Sequence, residues 1–260
     1  DREARRRREA NVWPAPPQSR LVDMAVRLGL LTELDLAGSA ADRVGRPPGG
    51  LRSRLLVEPG VMDLATIAGQ TSGVQGQGAV DALAQAAIGQ RVSVSPLHMA
   101  AVAASIARSV PVRPYLLASM DGEALNPPDA PGTPLSADLG PLRMGMKAVT
   151  ETGTAAGPAA FGSWAEHFPG AVCHVYGKTG SAQVSKDGEH GTTAWFIGWA
   201  EAAAFDALSP VSPPARRRPV TFDSMAVGNQ GERRPGGAVC APLVARLLEG
   251  IAGVSVPTAP

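Results

Sequence analysis

The sequence predicts an α+β fold, on three observations. Apolar residues recur at helical spacing in the first two thirds of the chain, most clearly after Ser95. From Val172 the apolar period shortens toward two through three successive segments, and a run from Val239 to Ile251 then returns to helical spacing. With 260 residues, 44% hydrophobic and 18% charged, the chain is long enough for one large domain or two small ones and can bury a core. A formal net charge of +1 gives no whole-chain electrostatic reason to expect a nucleic acid or an anionic membrane as partner.

Each element follows from local signals. The opening Asp1 to Glu9, DREARRRRE, is dense in charge and has no initiator methionine. It reads as a solvated helical face or tail, and it is also what a fragment of a longer chain looks like. Pro14, Pro16 and Pro17 preclude a continuous helix there, so residues 1–19 form a charged, Pro-rich N-terminal segment and residues 20–256 the domain. Leu21, Met24, Ala25 and Leu28 predict a short amphipathic helix ending at Gly29. Residues 31–60 read as an irregular connection, and Leu64 to Gly89 as a loop followed by a small-residue helix.

Ser95 is a good N-cap and Pro96 suits a first helical position, which predicts a helix to Arg108 that the prolines at 111 and 114 close. Asp121 to Ser136 reads as a Pro-rich loop. A further helix is expected over Pro141–Val149, broken at Gly153. Strands are expected over Val172–Val184, Thr192–Ala200 and Val220–Val227. The connection from Ser209 to Pro219, with Arg216 to Arg218, is a solvated loop, and the closing helix follows Gly236-Gly237. No apolar run approaches the length of a membrane span, and no N-terminal apolar segment resembles a signal peptide.

The segment with chemical content is Lys178-Thr179-Gly180-Ser181. On a strand, the lysine supplies positive potential, a hydroxyl can bind a carboxylate, and glycine lets a substrate backbone approach closely. Thr179 and Ser181 are two apart and project to the same side, so the set could dock an anionic peptide end. Alone, the tripeptide K-T-G is equally a strand entering a glycine bulge with an exposed lysine.

Several further segments occur with it in order. Ala87-Ile88-Gly89-Gln90 precedes Val94-Ser95-Pro96-Leu97-His98-Met99-Ala100; Leu142 to Thr154 reads LRMGMKAVTETGT; Ala194 to Trp199 reads AWFIGW; and Gly236-Gly237 leads into an apolar helix. Together these resemble the penicillin-binding protein and serine β-lactamase superfamily, whose signature set is S-x-x-K, S-x-N and K-T-G, and most of all its class B transpeptidases. The likeness covers roughly residues 20 to 250, with Arg91 where glycine is common and His98 where glutamine is common. It implies an antiparallel sheet flanked by helices plus a helical lobe, with the site in the cleft between them and the fold incomplete at the N-terminus. A serine β-lactamase is the weaker relative, since it predicts neither the S-P-L-x-M-A helix nor a chain this long.

The resemblance also implies roles. Lys178 contributes electrostatics and hydrogen bonds, Ser181 offers its backbone N–H as half of an oxyanion hole, Thr179 binds the substrate carboxylate, and Gly180 keeps the strand close to the acyl group. The chemistry implied is acyl transfer from D-Ala-D-Ala stem peptides of peptidoglycan on the outer face of the cytoplasmic membrane. The implied partners are stem peptides, cell-division or elongation proteins, and β-lactams where a nucleophile is supplied upstream. No cofactor and no metal are expected, and a membrane is met through an N-terminal anchor alone. Two departures stand out. Residues Met144, Val175 and Gln183 lie three before the three lysines, so no S-x-x-K is present. Glu9-Ala10-Asn11 stands about where S-x-N belongs, with Asn11 as its asparagine, or else Asn11 is a loop residue. A non-catalytic transpeptidase-like module that binds cell-wall or divisome partners is therefore the competing reading.

The remaining candidates carry less. His98, His167, His174 and His190 show no metal-ligand spacing; His98 reads as core and His174 as a solvent-facing strand residue. Asp187, Glu189 and His190 read as turn residues after the K-T-G strand. Trp195 and Trp199 share a strand face that packs under a helix. Cys173 and Cys240 match no metal or redox spacing, and nothing in the sequence supports a bond between them.

Overall fold

The computed structural model describes residues 17–31, 34–35, 56–57, 61–62, 84–90, 92–116, 119–120, 123–124, 133–135, 138–186, 189–208, 219–227 and 235–254. Their order is helix α1 (Pro17–Arg27), three short antiparallel ladders around helix α2 (Pro96–Arg108), helices α3 (Gly140–Glu151), α4 (Phe161–His167) and α5 (Pro169–Val172), strands β7 and β8, helix α6 (Ala202–Leu208), strand β9 and helix α7 (Gly236–Ala252). The ladders pair β1 (Leu34–Asp35) with β2 (Leu56–Val57), β3 (Val61–Met62) with β4 (Val92–Ser93), and β5 (Ser119–Met120) with β6 (Glu123–Ala124). Two of the three depart from expectation: β1 and β2 arise within a connection read as irregular, and β6 within a loop read as merely Pro-rich.

Helix α1 buries Ala25 against Ala86, with Leu21, Val22, Leu30 and Leu31 around them. It ends as its sequence dictates, at Gly29 with φ 78°, a conformation glycine adopts without a Cβ penalty. Helix α2 is capped at both ends. The Ser95 hydroxyl accepts the His98 amide, and Arg143 of α3 donates to the terminal carbonyls of Ile106 and Ala107 and to the Ser109 hydroxyl. The guanidinium thereby satisfies acceptors that a helix C-terminus leaves open.

The main sheet has the order β7-β8-β9, all antiparallel, with β7 at Val175–Lys186, β8 at Glu189–Ala200 and β9 at Val220–Val227. The strand expected from Val172 begins three residues later because Pro169, at a first helical position, starts the α5 turn instead. Glu189 and His190, expected in a turn, are strand residues paired with Lys186 and Ser185. Only Asp187 and Gly188 separate the strands, a dipeptide suited to a two-residue hairpin.

Alternation sorts the sheet into two faces. One carries Val175, Ala194, Phe196, Ala200 and Phe222 and is covered by α4, α6 and α7, which add Phe161, Trp164, Phe205, Val244 and Leu248 to a single core. Its rings interlock: Phe161 meets Trp164 edge-on at 5.0 Å, and Phe196 stacks on Phe222 at 5.3 Å. The Trp164 indole donates to Glu249 at 2.9 Å and Arg246 donates to the same carboxylate at 2.7 Å, which compensates the burial of that charge. The other face carries Tyr176, Lys178, Trp195, Ile197, Trp199 and Asp223, with α2 lying across β8 and β9.

Candidate active site

The K-T-G-S segment lies near the middle of β7, an outer strand of the three-stranded sheet. Its register sets Lys178 opposite Ile197, Thr179 opposite Phe196, Gly180 opposite Trp195 and Ser181 opposite Ala194. Thr179 and Ser181 therefore share the face that holds the core, and Lys178 and Gly180 share the other. Lys178 is exposed and its ammonium donates to the Thr179 carbonyl, which keeps the charge beside the strand. Gly180 sits on Trp195: a Cβ there would lie 3.3 Å from the Trp195 Cβ.

Two neighbouring elements fix the hydroxyls. Helix α3 is clipped to the start of β7 by Thr150, whose hydroxyl bonds the Val175 carbonyl at 2.8 Å. The turn after α3 then brings Thr154 against the strand, its hydroxyl 2.7 Å from that of Thr179. On the Ser181 side, the first amide of α7, that of Gly236, donates to the Ser181 hydroxyl at 3.3 Å. The positive end of a 17-residue helix is thus aimed at the site strand.

Such close approach needs glycine. A Cβ on Gly236 would fall 2.1 Å from the Trp195 carbonyl oxygen and 2.6 Å from that of Gly180, and one on Gly237 would fall 2.0 Å from the Thr154 carbonyl oxygen. All three are backbone atoms with no rotamer to yield. The pair Gly236-Gly237 is therefore the contact surface between α7, the catalytic-type strand and the Thr154 turn. Sequence reading placed these glycines ahead of a helix and Thr154 in a turn, and assigned neither to the site. The i, i+2 hydroxyls of Thr152 and Thr154 around Gly153 were the one available signal for the second.

Of the residues singled out in the sequence, Lys178, Thr179, Gly180 and Ser181 are together, whereas Asn11 lies outside the described residues. His98 is buried as expected, with its Nδ1 2.7 Å from the Ser95 hydroxyl. His174 precedes the strand instead of lying on it and pairs with Glu201 at 3.0 Å. Next to this pair, Tyr176 stacks on Trp199 at 4.5 Å. Burial, then the Glu201 charge, raise its phenol pKa above the usual value. Trp199 is buried, and Trp195 is half-buried under Gly180. Cys173 and Cys240 are free thiols; Cys240 is buried and donates to the Ala194 carbonyl.

An exposed ammonium, hydrogen-bonded hydroxyls and a glycine are thus gathered at one outer strand, backed by a helix N-terminus. Residues 57–206 match the family model described as the penicillin binding protein transpeptidase domain, so the chain belongs to that family. Among solved structures it is similar to Pseudomonas aeruginosa PBP2 in complex with WCK 5153, at 17% identity and TM-score 0.50 over 90% of this chain and 46% of that one. It also matches the D,D-transpeptidase domain of a peptidoglycan glycosyltransferase from Eggerthella lenta, at 22% identity and TM-score 0.46 over 90% of this chain and 48% of that one. The chain spans just under half the length of each. No curated protein sequence matches it.

Proposed function

We propose that this chain is the K-T-G portion of a class B peptidoglycan D,D-transpeptidase, with residues 20–256 forming one incomplete domain behind a charged segment at 1–19. The observation that carries this reading is the arrangement of Lys178 to Ser181, pinned by Thr154 on one side and Gly236 on the other. A stem peptide ending in D-Ala-D-Ala presents a carboxylate and, one residue in, the acyl carbon. The Thr154 and Thr179 hydroxyls bond to each other, and the pair keeps one further hydroxyl proton to donate to the carboxylate. Lys178 adds positive potential, and Gly180 leaves room for the acyl group beside Trp195.

A serine from an S-x-x-K segment attacks the penultimate carbonyl, terminal D-alanine leaves, and an amine of a second stem peptide takes the acyl group. The Ser181 amide stabilises the oxyanion, its strand held by the Gly236 contact. No such serine-lysine pair occurs in these residues, so this reading takes it from a segment outside them. Work of this kind is done on the outer face of the cytoplasmic membrane, among elongation or division proteins.

Intact-mass measurement after incubation with benzylpenicillin tests the reading. The expected result is no adduct on the folded chain alone, and one penicillin on a version extended upstream through an S-x-x-K segment. An adduct on the chain alone would overturn the placement of the nucleophile. No adduct on the extended version would favour the non-catalytic module, a reading that the missing S-x-x-K and the Glu9-Ala10-Asn11 sequence also support.

A further inference from the structure

The Asp223 carboxyl lies on β9, on the sheet face that α2 covers, and neither of its buried oxygens has a hydrogen-bond partner among the described residues. A carboxylate taken from water without donors is costly in its charged form, and no hydrogen bond among the described residues offsets that cost. The helix packed over it offers mostly small apolar side chains: Ala101, Val102 and Ala103 are its buried aliphatic residues. Its titratable and charged groups are His98, whose Nδ1 is engaged by Ser95, and Arg108 at the last turn. On β8 the same row holds the uncharged Ile197, and beyond it Lys178, two strand spacings or about 10 Å away. Through the sheet, the charge of Asp223 acts on the Cys240 thiol, as the smallest of the influences on it.

We infer that Asp223 is a proton-dependent latch: protonated, it lets α2 seat on the sheet, and on losing its proton it loosens the α2 interface. Burial alone pushes its pKa from the ordinary carboxylate range up to about 7, which sets the working range near neutrality. The folded state holds this proton more tightly than the unfolded one. The stabilisation is therefore complete below the unfolded value of about 4 and is lost as pH rises to the folded value. Because Lys178 shares the row, the same ionisation places a negative charge on the face where the site lysine supplies positive potential.

Amide hydrogen exchange over Leu97–Arg108 in the full chain reads the latch directly. Protection factors should fall as pH is raised from about 5 to about 7, by no more than about tenfold per pH unit, and level off above that. Asp223→Asn should remove the slope, and Asp223→Ser serves if the asparagine variant does not fold. Carboxyl-carbon NMR titration of the unmodified chain should show one aspartate with a midpoint near neutrality. A slope that persists in both variants, or an Asp223 midpoint in the ordinary carboxylate range, overturns the inference.

Discussion

The two faces of the β7-β8-β9 sheet are built on opposite terms. The face under α4, α6 and α7 is filled by interlocked aromatic rings, and its one buried charge, Glu249, accepts from Trp164 and Arg246. The face under α2 sets Trp195, Ile197 and Trp199 beneath a helix that buries Ala101, Val102, Ala103, His98 and Ser105, and the buried oxygens of its Asp223 have no donor among the described residues. The site strand lies between these faces and takes its rigidity from the first, since both Gly236 and Thr154 bond to side chains on that face. The α7 side positions Thr179 and Ser181, and the α2 side holds the unpartnered carboxyl.

The comparison breaks most severely at the glycine contact. Gly236→Val drives a branched side chain into the carbonyl oxygens of Trp195 and Gly180, with no rotamer that escapes. The expected loss is about 3 kcal/mol or more, read as the drop in urea midpoint at constant m-value. A variant as stable as the parent would mean that α7 does not seat on the strand. Glu249→Ala is next: it leaves the Trp164 indole N–H buried without this acceptor and removes a partner of Arg246, for a loss of about 2 kcal/mol. Trp164→Phe tests the same bond from the other end, and a double-mutant cycle should show coupling between the two positions.

On the opposite face the sign reverses. Asp223→Leu replaces an unpartnered carboxyl by an apolar side chain of similar reach, so thermal stability at neutral pH should rise, and the gain should shrink toward acid pH as the native carboxyl is protonated. A loss at neutral pH would mean that Asp223 has a partner that the burial pattern does not reveal. Removing the Glu249 charge from the α7 side costs stability, and removing the Asp223 charge from the α2 side restores it.

Where sequence reading succeeded and where it stopped follows the range of the interactions. Helix α2 was legible because its start signals, Ser95 and Pro96, act within one turn, and the three sheet strands were legible from their alternation. The K-T-G-S segment was legible because its residues are contiguous. Thr154 and Gly236 were not assigned to the site, since their roles depend on contacts across 25 and 55 residues of chain. The partnering of Glu249 and the isolation of Asp223 were equally hidden: both are acidic residues in apolar surroundings, and only the fold decides which one meets donors. Ladder β1-β2 escaped notice because two-residue strands carry no period to read.

The finest test of the contrast is the hydroxyl pair, where the effect on stability is smallest. Thr154→Val keeps the shape of the side chain and removes the bond to Thr179, so it should cost less than about 1 kcal/mol. Its consequence is orientational: Thr179 loses the hydroxyl partner that fixes its own hydroxyl. Amide and methyl NMR shifts should change around Thr179 to Ser181 and around Gly236-Gly237, the residues that share this contact surface, and Thr154→Ser should restore them. Changes that instead spread into α2 would show the two faces to be mechanically coupled, so that the proton on Asp223 and the hydroxyl on Thr179 report on a single deformable sheet. Confinement to the α7 side would establish that the K-T-G strand is positioned from one face alone, leaving the α2 face free to respond to pH without disturbing it.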